Sequence, residues 1–272
     1  MYEQFFALKQ KPFSLTSNPS FLFLSRRHKE ALSSLLYGIK ERVGFIEITG
    51  EIGAGKTTLC RALLNQLDEK TKTAFIFNSN LSGLQLMQTI VEDLGIEARQ
   101  KNKGSLFSEL NRFLIQQLGL GNNVVLIIDE AQNLSAKILE QIRMLSNLES
   151  GNEKLLQIIL VGQPELRQKL ELPHLRQLRQ RIAIRYHIKA LDKEEVPLYI
   201  THRLNQAGSN GAGPFFDADA YEEIFKYSAG IPRLINNVCD KSLLMAFVLE
   251  TRSINAEIVK KSIVEIEGGV SL

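Results

Sequence analysis

Residues 44–61 read GFIEITGEIGAGKTTLCR, and the fold of the chain follows from how this stretch is parsed. Phe45, Ile46 and Ile48 form the apolar run of a buried strand. A glycine-rich turn follows, and then the start of a helix. Gly50, Gly55, Lys56 and Thr57 fit G-x-x-x-x-G-K-[ST], the phosphate-binding loop. Gly53 and Gly55 carry no side chain, so successive backbone N–H groups can wrap an anion. The helix that follows points its positive end at the same place. The spacing predicts a nucleoside triphosphate cradle of Gly50, Glu51, Gly53, Ala54, Gly55, Lys56, Thr57 and Thr58. Lys56 is expected to reach the β- and γ-phosphates, and the Thr57 hydroxyl to ligate Mg²⁺.

A second stretch, NVVLIIDE at 123–130, is expected to work with the first. Its five consecutive apolar residues predict a parallel strand covered on both faces. Asp129 and Glu130 then fall at the carboxyl edge of a sheet, where open α/β folds bind ligands. Buried carboxylates are costly without a cation, and a nucleotide-bound Mg²⁺ supplies one. Asp129 suits the metal and Glu130 suits activation of the attacking water. Two further runs, TAFIFN (73–78) and LLQIILV (155–161), predict strands buried on both sides. The latter delivers Gln163 to the sheet edge. There it either contacts the γ-phosphate or the attacking water, or merely shapes the turn before Pro164. Strands alternate with helices from Phe45 to Tyr186, which predicts a parallel, doubly wound α/β sheet.

Composition narrows the class. The 272 residues suffice for one large or two modest domains. A net charge of +3 is too small to imply nucleic acid or membrane by itself. Cys60 and Cys239 are far apart without metal-type spacing, so buried free thiols in a reducing compartment are expected. No apolar run has the length of a membrane helix, and the start MYEQFFALKQKPF lacks the pattern of a signal peptide. These features predict a cytoplasmic protein without a transmembrane segment.

The flanks read less sharply. Residues 1–24 hold Pro12, Pro19 and five phenylalanines, which predicts an extended segment pinned by ring burial. It either seals the core or walls an adenine ring. Ser25 is expected to cap a helix through Lys40. Arg176, Arg179, Arg181 and Arg185 lie on a helix-to-strand passage, as a solvated surface or as an arginine offered to a neighbouring subunit. From Asp192 only helices are predicted. Asp192 with Glu195 makes a capping box, and Pro232 opens a helix after Gly230. The expected division is an α/β domain with its N-terminal segment over 1–190, a small all-helical lid over 191–268 and a tail over 269–272.

The order of these parts resembles an AAA+ ATPase. By that resemblance Gly50–Thr57 is Walker A and Val125–Glu130 is Walker B. Gln163 falls at sensor 1, where the superfamily more often has Asn or Thr. Arg181, with Arg179 second, matches the trans-acting arginine finger. Arg233, in GIPR, matches the sensor 2 arginine that touches the γ-phosphate. Asn78 matches the polar residue that restrains the catalytic glutamate. The segments FFALKQKPF, FLFLSRRHKEAL, ITGEIGAGKTTLCR, IIDEAQNL, VGQPEL, LRQRIAIRYHI and SAGIPRLINNVCD are similar to the ExeA, or general secretion pathway protein A, type. Ala7 departs from that family's FGL opening. Secretion members continue into a membrane segment and a peptidoglycan-binding domain, whereas this sequence stops at Leu272, so it is more similar to stand-alone members of the MSHA pilus biogenesis type. The resemblance implies ATP hydrolysis with Mg²⁺, homo-oligomers, and pilus or type II secretion partners at the inner membrane face. The rival expectations are a DNA-associated ATPase of the transposition-helper kind, a small-molecule kinase and a nucleotide-gated adaptor.

Overall fold

The computed structural model describes residues 1–15, 19–77, 81–98, 100–150, 153–209 and 214–268. The chain opens with a one-turn helix α1 (Tyr2–Phe5), a 3₁₀ turn (Pro19–Phe21) and helix α2 (Arg26–Lys40). Strand β1 (Phe45–Gly50), α3 (Lys56–Leu64), β2 (Thr71–Ile76), α4 (Gly83–Asp93), α5 (Lys103–Gly119) and β3 (Asn123–Ile128) follow. Next come α6 (Ala136–Leu145), the two-residue strands β4 (Glu149–Ser150) and β5 (Glu153–Lys154), β6 (Gln157–Gly162), α7 (Pro164–Leu170), α8 (Arg176–Arg181) and β7 (Ile182–Ile188). The chain then runs through α9 (Glu195–Gln206), β8 (Phe215–Phe216), α10 (Ala218–Ser228), α11 (Pro232–Val248), β9 (Ser253–Ile254) and α12 (Ala256–Ile266).

By their internal contacts these elements form two compact units. One comprises Lys29–Gly50 and Leu59–Ile188; the other comprises Met1–His28, Glu51–Thr58 and Lys189–Leu272. The first unit is the predicted doubly wound α/β fold. Its sheet has the order β2-β3-β6-β1-β7, and every pairing is parallel. All carboxyl ends therefore share one edge. Every residue of β1 and β6 is buried, and so is every residue of β3 after Asn123, as apolar runs covered on both faces require. Strand β2 departs from the expectation of burial on both sides. Ala74 and Ile76 are buried while Lys72 is exposed, and Phe77, just past the strand, is 52% exposed. β2 is a sheet edge, so only one face is fully covered; the Asp93 carboxylate of α4 accepts the Phe75 N–H at 2.5 Å.

The second unit is helical, with the core Tyr2, Phe6, Phe13, Phe21, Tyr199, Ile224, Val238, Leu243 and Val259 among others. The phenylalanine-rich start is pinned by ring burial, as its composition predicts. Its first turn is helical rather than extended, and Tyr2 Oη bonds to Asp240 of α11. Arg203, 7% exposed, secures the segment: Nε donates to Pro12 O at 2.6 Å, Nη2 to Ser14 O at 2.9 Å, and the guanidinium lies 4.6 Å from the Phe21 ring. The helices are interrupted by the parallel pair β8–β9, too short to leave a periodic signal. The Asp192–Glu195 capping box is half formed. Glu195 Oε2 accepts the Asp192 N–H at 3.2 Å, while Asp192 Oδ1 takes Arg27 Nη2 at 3.4 Å. Cys60 and Cys239 are buried and form no disulfide, as expected.

Candidate functional site

The phosphate-loop side begins where β1 ends at Gly50. Gly53 and Gly55 adopt φ of +81° and +91°, a left-handed backbone that disfavours any side chain. A Cβ on Gly53 would run into the Arg233 side chain, so the loop and the first turn of α11 approach as closely as only glycine permits. Lys56, 6% exposed, folds its ammonium back to donate to Glu51 O at 3.0 Å. Thr57 and Thr58 occupy the first turn of α3, where backbone N–H groups lack intrahelical partners.

His28 belongs to this side, although its position carries no signal in the motif. Its Nε2 lies 3.0 Å from Ala54 O. A carbonyl only accepts, so Nε2 carries the proton and Nδ1 accepts from Ser25 Oγ at 2.7 Å. Ser25 Oγ also accepts the His28 backbone N–H, which makes it the cap expected for α2. Burial pushes the imidazole pKa below 6.5, with the Ala54 bond opposing, and so favours the neutral ring that this pattern uses.

The carboxylate side lies at the carboxyl ends of β3 and β6. Asp129 is 2% exposed; its N–H donates to Ile76 O and its Oδ1 accepts the Glu130 N–H, both at 2.9 Å. Glu130 turns into the left-handed region, φ 51° and ψ 36°. Its Oε2 accepts from Gln163 Nε2 at 3.1 Å and from Gln132 Nε2. Gln163 is also the N-cap residue of α7, with Pro164 as the first helical residue. The structure thus joins Glu130 to Gln163 and Gly53 to Arg233. Asn78 lies outside the described residues.

The arginines divide. Arg181, exposed at the end of α8, donates from Nη1 to Ser146 Oγ at 2.9 Å. Arg179 is half-buried, and its carbonyl accepts from Arg185 Nη2 at 2.6 Å. Arg185 Nε also lies 3.4 Å from Glu47 Oε2, its register partner on β1. Burial raises the Glu47 pKa, with Arg185 and then Arg167 opposing. Gln132, His28 and the Glu47–Arg185 pair escape sequence reasoning because each has one partner distant in the chain: Gln163 for Gln132, Ala54 for His28, and Arg185 for Glu47. The nearest signal is the GlnAsn that follows AspGluAla in 129–133.

Residues 39–170 match the family model described as an AAA domain. Over 96% of its length the chain superposes on Cdc6p from Pyrobaculum aerophilum, 72% of that chain, with TM-score 0.71 at 17% identity. It superposes over 94% on the Aeropyrum pernix ORC2 protein, 72% of that chain, with TM-score 0.68 at 16% identity. The Thermotoga maritima RuvB branch migration motor is similar over 88% of this chain and 68% of its own, with TM-score 0.60 at 20% identity. Residues 39–170 thus carry the match to an AAA domain, and the chain shares the fold of these structures.

The chain is also similar to general secretion pathway protein A of Aeromonas hydrophila, 44% identical over 249 residues. The match takes in 91% of this chain and 45% of that protein, so the chain spans less than half the length of the curated relative it matches. No helix among the described residues is long and apolar enough to cross a membrane.

Proposed function

We propose that the chain hydrolyses ATP, and that hydrolysis drives or regulates assembly of a secretion or type IV pilus apparatus. The observation that carries the first half is the burial of Lys56 in the turn formed by Gly53 and Gly55. An ammonium held there, at a helix start, is placed for a polyanion. The loop 50–58 binds the phosphates through its N–H groups and Lys56. When bound, Mg²⁺ neutralises charge that develops on the phosphate oxygens. Thr57 and Asp129 are its proposed protein ligands. One hydroxyl and one carboxylate suit Mg²⁺, which is commonly held by one or two carboxylates together with substrate phosphates and water. Glu130 orients the attacking water, and Gln163 and Arg233 respond to the γ-phosphate.

Arg181 completes the site of a neighbouring copy, with Arg179 the second candidate; its exposure supports this role. The proposed domains are 1–190 and a lid over 191–268; the expected tail over 269–272 lies outside the described residues. The secretion role rests on the likeness to general secretion pathway protein A. Partners are then components of that machinery at the inner membrane face, and the MSHA-type pilus system is the particular candidate.

An arginine supplied in trans is worth about 10³ to 10⁵ in rate. Turnover per subunit should therefore rise steeply across a dilution series that spans assembly. A flat profile would refute the trans arginine. Capture on DNA that needs ATP and weakens steeply with salt would favour the DNA-associated alternative instead.

A further inference from the structure

Glu130 leaves β3 with a left-handed backbone, a conformation that persists in a non-glycine residue only where its surroundings hold it. The surroundings here are amides. Oε2 of Glu130 accepts from Gln163 Nε2 at 3.1 Å and from Gln132 Nε2. Gln132 does more than donate. Its Oε1 accepts the backbone N–H of Gln163 at 3.0 Å, so one side-chain amide ties the end of β6 to the carboxylate that follows β3. The main chain around Gln132 is tied down as well. Lys169, on α7, donates from Nζ to Gln132 O, and to Leu134 O at 2.9 Å. The neighbouring sequence keeps room for the amide: a Cβ on Gly162 would lie 2.7 Å from Gln132 Oε1.

We propose that Gln132 is a positioning residue for the hydrolytic step. Its amide clamps Glu130 to the β6–α7 junction, so that a displacement of Gln163 is carried directly to the carboxylate. A residue with only a packing role would need neither the donor nor the acceptor; Gln132 uses both, each on a residue of the candidate site. The proposal rests on Glu130 orienting the attacking water, as proposed above.

The test compares the full chain with Gln132→Met, which keeps length and volume but removes both hydrogen bonds, and with Gln132→Ala as a second variant. ATP turnover, ATP dissociation constant and thermal midpoint are measured for each. Single-turnover rates are measured with and without Glu130→Gln. Misplacing a reacting group by about 1 Å costs up to about 10²-fold, so kcat should fall about ten- to a hundredfold in Gln132→Met. ATP affinity should stay within about twofold on the same reasoning, because the loop 50–58 is untouched. Adding Gln132→Met to Glu130→Gln should slow the residual rate by less than about threefold, far less than Gln132→Met slows the wild type, since the two substitutions remove the same clamp on the carboxylate.

Unchanged kcat in Gln132→Met, alongside lost turnover in Glu130→Gln, overturns the proposal and leaves the reading of Glu130 intact. Parallel losses of ATP affinity and thermal midpoint overturn it too, as a structural role. Full turnover in Glu130→Gln overturns the assignment of Glu130, and this proposal with it.

Discussion

His28→Ala tests whether the phosphate loop is built on a neutral, buried imidazole. The wild-type ring donates to Ala54 O at 3.0 Å and accepts from Ser25 Oγ at 2.7 Å, at 3% exposure. Truncation leaves the Ala54 carbonyl without that donor, at about 1–3 kcal/mol, and removes the Ser25 bond, at about 1 kcal/mol. A ring-sized polar cavity admits water, which offsets part of the loss. The expected destabilisation is about 2–4 kcal/mol.

The pH dependence separates this account from simple cavity formation. The folded pKa of His28 lies below the 6.5 of the unfolded chain. Between those values the unfolded state binds a proton that the folded state does not. The contribution of the ring is thus complete above pH 6.5 and is lost as pH falls through the depressed folded value. The groups facing it are Ser25, the Ala54 carbonyl and the charge of Glu195, which opposes the depression. Urea unfolding of wild type and variant at pH 7.5 and 5.5 reads the difference, from which His202 and the carboxylates cancel. The gap should be wide at pH 7.5 and narrower at 5.5. A gap independent of pH, or below about 0.5 kcal/mol at pH 7.5, would refute the reasoning.

Gly53→Ala places a Cβ at φ +81° and against Arg233. The backbone cost alone is about 1–2 kcal/mol, so ATP binding by calorimetry should weaken about five- to thirtyfold. Arg203→Met removes the donors to Pro12 O and Ser14 O and the stacking on Phe21. It should lower stability by about 2–4 kcal/mol and speed proteolysis within residues 1–15. Arg185→Ala leaves Glu47 buried without its 3.4 Å partner. Because Arg185 is itself 40% exposed, the expected loss is only about 1–2 kcal/mol, recovered by adding Glu47→Gln. Chemical denaturation of the two single variants and the double variant checks this.

Legibility followed the range of the interactions. The phosphate loop could be read because its donors, lysine and hydroxyl are consecutive in the chain, and β1, β3 and β6 because parallel strands covered on both faces need unbroken apolar runs. Strand β2 carries the same apolar character at a sheet edge, where the run does not imply two covered faces. Helix α7 was hidden by Pro164, which suits a turn and a first helical position equally well. The pairs β4–β5 and β8–β9 are two residues long and leave no period to detect. The partnerships that shape the candidate site are the least legible. His28 meets Ala54 26 residues away, and Gln132 meets Gln163 31 residues away. The local bonds, Gln132 to Glu130 and His28 to Ser25, do not reveal these partners; the sheet order, which brings β3 beside β6, makes the second pairing possible.

The central claim is that Glu130 performs the water-orienting step on ATP held by the loop 50–58. Glu130→Gln keeps the shape of the side chain and removes its charge. Nucleotide binding and phosphate release should be measured on the same preparation. The account predicts ATP affinity equal to wild type and phosphate release lower by about 10²-fold or more. Turnover within a few-fold of wild type, with ATP bound normally, would contradict it.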